Sequence, residues 1–169
     1  MTYNRLEDTI QKLYLKIDIT DIIHLDFEFI AARLGFSVIY IKGISKYIAS
    51  LHTFCLEESL TQQEQWQDFG HELCHAIWHA GHQLSMPIDW RLYQEWQANS
   101  FAYEACVPRY LLEHELADNT TVHPVALIAE KFGVTQEFAL CRYWIHMRKM
   151  SQEQSNLFQN PDLYYGRGV

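Results

Sequence analysis

The chain has 169 residues, is 49% hydrophobic and 14% aromatic, and carries a formal net charge of −8. That is material for one domain with a sizeable core, and it excludes a chain disordered by composition. The acidic balance argues against broad binding to nucleic acid or an anionic membrane surface, which calls for an excess of Lys and Arg.

No run approaches the roughly 18 apolar residues of a membrane helix. The start, MTYNRLEDTIQKLYLKID, has no apolar stretch of signal-peptide type. Cys55, Cys74, Cys106 and Cys141 are far apart and form no C-x-x-C. They read as buried reduced thiols of a cytoplasmic protein.

In chain order, Asn4 caps a first helix with Leu6, Ile10, Leu13, Tyr14 and Ile17 at helical spacing. A second helix spans about Asp26–Leu34 and stops at Gly35, the usual left-handed residue after a helix. FSVIYI (36–41) and IASLHTFCL (48–56) read as strands around a KGISK turn, and their proximity predicts a hairpin. Thr61 with Glu64 three residues on forms a capping box. The helix it opens has Trp66, Phe69, Leu73, Ile77 and Ala80 as its core face.

That helix contains HELCH, residues 71–75. In a chain with nine histidines, shuffling yields H-E-x-x-H in roughly 4 of 100 sequences, so the pattern needs support from its surroundings. On a helix, His71, His75 and His79 share one face opposite Leu73, and the first two can reach one ion. A strand would hold His71 and His75 about 13 Å apart, too far for that. Catalytic zinc takes three protein ligands and keeps one position for water. QEWQANSFAYEA (94–105) reads as a further helix with Glu95 and Asn99 one turn apart. Glu95 supplies the third ligand, and Asn99 can hold the far nitrogen of a ligand histidine. The loop between carries Gly81, Met86, Pro87 and Asp89, enough to turn one helix back on the other.

HELCH followed by EWQANSFAYEACVP resembles the ImmA/IrrE metallopeptidase family. Members read HExxH, often with a further His four residues on, then E-x-x-A-N-x-F-A ending near a proline; His79 and Pro108 stand at those places. DFEFIAARLGFSVIYI and EQWQDFGHELCH resemble the family's lead-in, so the resemblance covers about residues 20–145. Two positions depart from the pattern. Cys74 stands where members usually have glycine, and Cys106-Val107 replaces a Leu-rich pair.

Resemblance and spacing give one assignment. His71, His75 and Glu95 bind one Zn²⁺ per chain. Glu72, about 100° round the helix from His71, is the proton carrier and not a ligand. His79 is expected in an outer position or in packing, since a fourth protein ligand would close the catalytic site. His82 reads as a group at the helix end. Tyr93, Tyr103, His79 and His82 are each open as donors to an oxyanion.

PVALIAEKFGVTQEFALCRYWIHMR (124–148) reads as helix, Gly133 turn and helix, with Pro124 at the first position and Thr135 as N-cap. The second helix starts with Glu137 and few cations, so packing or partner docking is expected there and not DNA contact. The fold expected is α+β: a mainly helical zincin-like domain (1–120) with a small antiparallel sheet, a helix-turn-helix-like subdomain (121–150) packed on it, and an irregular, flexible tail (151–169). The resemblance implies a zinc metalloendopeptidase of regulatory kind. Its partner would be a protein substrate, a helix-turn-helix transcriptional repressor of a phage, mobile element or stress response. The rival is a zinc-holding interaction module, antirepressor or antitoxin-like, that does not cut.

Overall fold

The computed structural model describes residues 5–79, 86–119 and 122–159, with side chains to residue 155. Helix α1 (Arg5–Lys16) turns its Ile10 and Tyr14 side chains fully inward. Its expected cap, Asn4, lies outside the described residues, as do Ala80, Gly81 and His82. Helix α2 (Phe27–Leu34) starts where the Asp26 carboxylate accepts from the Phe29 N–H and ends at Gly35, whose φ of 82° is left-handed. The chain then turns directly into β1 (Ser37–Ile41).

The sheet is small, as expected, but it is mixed, and 36–41 and 48–56 do not form a hairpin. A short strand, β2 (Lys46–Ile48), intervenes and pairs antiparallel with β3 (Thr53–Glu57). Strand β1 pairs with β3 in parallel, Val38 opposite Phe54 and Tyr40 opposite Leu56. The order is β1-β3-β2. Burial explains the arrangement. Thr53, Phe54, Cys55 and Leu56 are all buried, so β3 takes the centre, whereas every residue of β1 and β2 is at least partly exposed. The reversal between β2 and β3 uses His52 in the left-handed region, φ 49°.

Helix α3 (Gln62–Trp78) opens on the Thr61–Glu64 capping box. It is the central element, with Trp66, Phe69, Leu73 and Cys74 buried between the sheet and α4 (Ile88–Cys106). The Phe69 ring meets Phe54 of β3 edge-on, with centroids 4.8 Å apart. Burying such a ring contributes roughly 1.5–3 kcal/mol. Ile77 departs from the expected core face and is 37% exposed near the helix end.

On the other side, α3 and α4 approach closely at Gly70. A Cβ there would stand 2.8 Å from Cys106 Sγ and 3.4 Å from Ala102 Cα. Tyr14 Oη donates to the Ala105 carbonyl at 2.9 Å, tying α1 to the same stretch of α4.

Helix α5 (Arg109–Asp118), which the pattern of the sequence does not announce, follows directly. Helices α6 (Pro124–Phe132) and α7 (Gln136–Gln159) form the expected pair around a left-handed Gly133, with Thr135 Oγ1 accepting from the Phe138 N–H. α7 continues through Gln159, so 151–159 of the expected irregular tail is helical, and 160–169 lie outside the described residues. SQEQSNLFQ holds helix formers and no breaker before Pro161.

A buried ionic network clamps α1, α4, α5 and α7. Glu104 accepts from the Arg109 backbone N–H at 2.7 Å and from Arg142 Nη2 at 2.8 Å. Arg109 reaches Glu113 at 2.7 Å and Glu153 at 2.8 Å. Glu7 holds Lys149 Nζ at 2.6 Å. Charged groups are rarely buried unless paired in this way. Among the described residues no helix is long and apolar enough to cross a membrane.

Candidate metal centre

Four side chains from two helices meet at one place. His71 and His75 are one turn apart on α3, and Glu95 and Asn99 are one turn apart on α4. The small residues Gly70 and Ala102 set the separation of the two helices just beside them. At that separation His71 Nε2 lies 3.1 Å from His75 Nε2 and 3.2 Å from Glu95 Oε2. His75 Nε2 lies 3.7 Å from Glu95 Oε1.

The outward nitrogens are held. His71 Nδ1 is 3.0 Å from Asn99 Oδ1, an acceptor, so Nδ1 carries the proton and Nε2 presents a lone pair inward. His75 Nδ1 is 2.9 Å from His79 Nδ1, whose other nitrogen lies 3.3 Å from Gln97 Oε1. Burial, followed by the neighbouring His71, pushes His75 down to about 4, so its ring is neutral at pH 7. Burial lowers His79 as well.

Two imidazole nitrogens and a carboxylate oxygen thus converge on one place, a donor set suited to a cation. Ligand atoms placed tetrahedrally 2.0–2.1 Å from an ion are about 3.3 Å from one another. The three observed separations bracket that figure. His71, His75 and Glu95 could therefore hold a metal, with Asn99 and His79 orienting the two rings from behind.

Glu72 lies beside them. Its donor atom and those of His71 and His75 all fall within 4.8 Å of one another. Its Oε2 accepts from the Tyr47 backbone N–H of β2 at 2.7 Å. Burial raises the carboxyl to about 7, against the Tyr47 N–H, which lowers it, and with the Glu95 charge adding to the rise. An acid of that pKa can both take and give a proton near neutrality.

Sequence reasoning missed the Tyr47 contact, because a main-chain donor leaves no mark in residue type. It also missed Gln97, although that residue lies inside the EWQAN run. Of the four oxyanion candidates, His79 is engaged with His75 and Gln97. Tyr103 packs its ring on Phe138 of α7, 4.5 Å between centroids, on another side of α4. Tyr93 lies in an exposed aromatic row between Trp90 and Trp96. His82 is outside the described residues.

Residues 24–143 match the family model of the IrrE N-terminal-like domain, Peptidase_M78. The chain belongs to the ImmA/IrrE peptidase family. It is 35% identical over 154 residues to the uncharacterized protein YqaB of Bacillus subtilis (strain 168), covering 89% of each chain. It is 36% identical over 138 residues to the phage-like element PBSX protein XkdA of the same strain, covering 80% of this chain and 70% of that one. The helix pair that carries HELCH and EWQAN lies inside the span matched to the ImmA/IrrE family.

Proposed function

We propose that the protein is a zinc-dependent regulatory metalloendopeptidase of the cytoplasm, with a helix-turn-helix transcriptional repressor as its substrate. The observation that carries this reading is the convergence of His71 Nε2, His75 Nε2 and the Glu95 carboxylate at tetrahedral edge spacing, with the buried Glu72 carboxyl beside them. His71, His75 and Glu95 would hold the ion. Zinc bound there would polarise the scissile carbonyl and make a water molecule more acidic.

The chain's own residues do the rest. Asn99 and His79 fix the two imidazoles so that both Nε2 atoms face the ion. Glu72, anchored through one oxygen by the Tyr47 N–H, takes the proton of the attacking water and passes it to the leaving amine. A site that only held zinc for structural reasons would have four protein ligands and no buried base. Glu72 therefore favours cutting over a non-cleaving interaction module. The phage-like element named for XkdA agrees with a repressor target in a mobile element.

The test has two parts. Elemental mass spectrometry of zinc-repleted, desalted protein should give about one zinc per chain, lost in His75→Ala and Glu95→Ala. Glu72→Gln should keep the zinc and abolish cleavage of a repressor encoded beside the gene. Partner inactivation that survives Glu72→Gln would rule out the peptidase.

A further inference from the structure

A cavity of about 760 Å³ opens against a side of α4 away from the metal centre. The residues of α4 that line it run from Tyr93 through Gln97 and Ser100 to Glu104. At about 100° per residue, that stripe is centred roughly 120° round the helix from Glu95 and Asn99. The cavity therefore opens on a different side of α4 from the metal face. The two sites share one side chain, Gln97, which lines the cavity and contacts His79.

The lining joins two chemistries. Trp78, Trp96 and Tyr103 supply aromatic surface, and Arg5, Arg142 and Arg148 supply positive charge. Lys149 also lines the cavity, but Glu7 holds its Nζ; Glu104 is the one carboxylate in the lining. Arg142 is decisive. Its side chain is 1% exposed, its Nε donates to the Val107 carbonyl and its Nη2 to Glu104, yet Nη1 has no acceptor among the described residues. A buried charged donor left unsatisfied is costly, and Arg142 lines the cavity, from which an acceptor could complete it. Arg5 and Arg148 are exposed and form no ion pair among the described residues. In a chain of net charge −8, three arginines and a lysine around one cavity are a local concentration of positive charge, offset there by Glu104 and Glu7.

An inorganic anion would use the arginines and leave the aromatic wall idle. A neutral ring would do the reverse. A planar ring bearing a phosphate uses both, since bases stack on aromatic side chains and guanidinium groups bind phosphate oxygens through paired hydrogen bonds. The volume lies within the usual range for small-ligand pockets, about 300–1,000 Å³.

We propose that this cavity is a nucleotide site: a nucleoside monophosphate binds with its base against the aromatic wall and its phosphate at Arg142, with Arg5 and Arg148 at the rim. The site stands whether or not the metal centre is a peptidase.

Trp78 and Trp96 make binding visible by intrinsic fluorescence, and calorimetry gives stoichiometry. The full chain is titrated with AMP, GMP and CMP in turn, with adenosine, guanosine and cytidine, with inorganic phosphate, and with a Glu-rich peptide. At least one nucleotide should bind one per chain with tryptophan quenching, while its nucleoside and phosphate bind at least about tenfold more weakly. Arg5→Glu and Arg148→Glu, at exposed positions that the fold does not need, should each weaken it by about tenfold, and Arg148→Lys should not. Nucleotides binding no tighter than their nucleosides, or binding unchanged in both Glu variants, would overturn the proposal. So would displacement of the nucleotide by the peptide at lower concentration, which would make the cavity a docking pocket for an acidic protein segment.

Discussion

Gly70 and Cys106 fix how near the two site helices stand: a methyl group on Gly70 would lie 2.8 Å from the Cys106 sulphur. The contact is one residue before His71 and one to two turns beyond Asn99. Gly70→Ala is expected to destabilise the protein by about 1–3 kcal/mol through overpacking. It should also lower metal content by moving Glu95 away from the histidines. Cys106→Ala removes the obstructing sulphur, so the double variant should recover most of the loss. Urea unfolding of the four proteins gives the coupling energy, and additive effects would refute the contact as the cause.

Asn99 touches no proposed substrate atom and no metal. Its expected contribution is the orientation of His71. Asn99→Ala should weaken zinc binding by about 10–100-fold while leaving thermal stability of the metal-free protein nearly unchanged. Competition with a chromophoric chelator measures the first, and calorimetry the second.

Two buried groups at the site give opposite pH dependences to the metal-free protein. His75 is pushed from 6.5 to about 4, so between those values the unfolded chain holds more protons and stability rises with pH. Glu72 is raised from 4.5 to about 7, so between those values the folded chain holds more protons and stability falls with pH. From pH 4.5 to 6.5 the two slopes oppose each other. Glu72→Gln should leave stability climbing with pH in that window, and His75→Gln should leave it falling, each by at most about 1.4 kcal/mol per pH unit. Denaturant midpoints at four pH values separate the cases, and parallel curves for both variants would refute the assignment.

The ionic clamp behind α4 should be far more sensitive than any surface pair. Glu104→Ala leaves the buried Arg142 without its anion and should cost about 3–5 kcal/mol. Lys42→Ala breaks an exposed pair with Glu58, 3.8 Å long, and should cost less than about 1 kcal/mol. Chemical unfolding of the two variants side by side checks the contrast.

What could be read ahead of the structure was local. The Thr61–Glu64 box, Gly35, Gly133 and the i, i+4 spacings of His71/His75 and Glu95/Asn99 each act within one or two turns, and residue type alone announces them. The parallel pairing of β1 with β3 depends on which strand is buried on both faces, and it is invisible when a three-residue strand straddles the end of the presumed turn and the start of the presumed second strand. Trp96 is 64% exposed despite its large apolar ring. Arg109 and Arg142 are buried despite their charge, because carboxylate partners come from other helices. The orientation of His75 by His79 was within reach of helical spacing. The anchoring of Glu72 was not, since its partner is a peptide group.

That last feature has an evolutionary consequence. The donor to Glu72 is supplied by the chain itself at position 47, so nineteen of the twenty amino acids provide it equally well, and only proline removes it. What constrains the residue type there is the packing of the Tyr47 ring on Phe36 and Phe54, while the donor to Glu72 would survive any change but proline. Inserting or deleting a residue in the 42–45 segment would do what substitution does not: it would slide the strand, and Glu72 would lose its anchor with every side chain of the centre still in place.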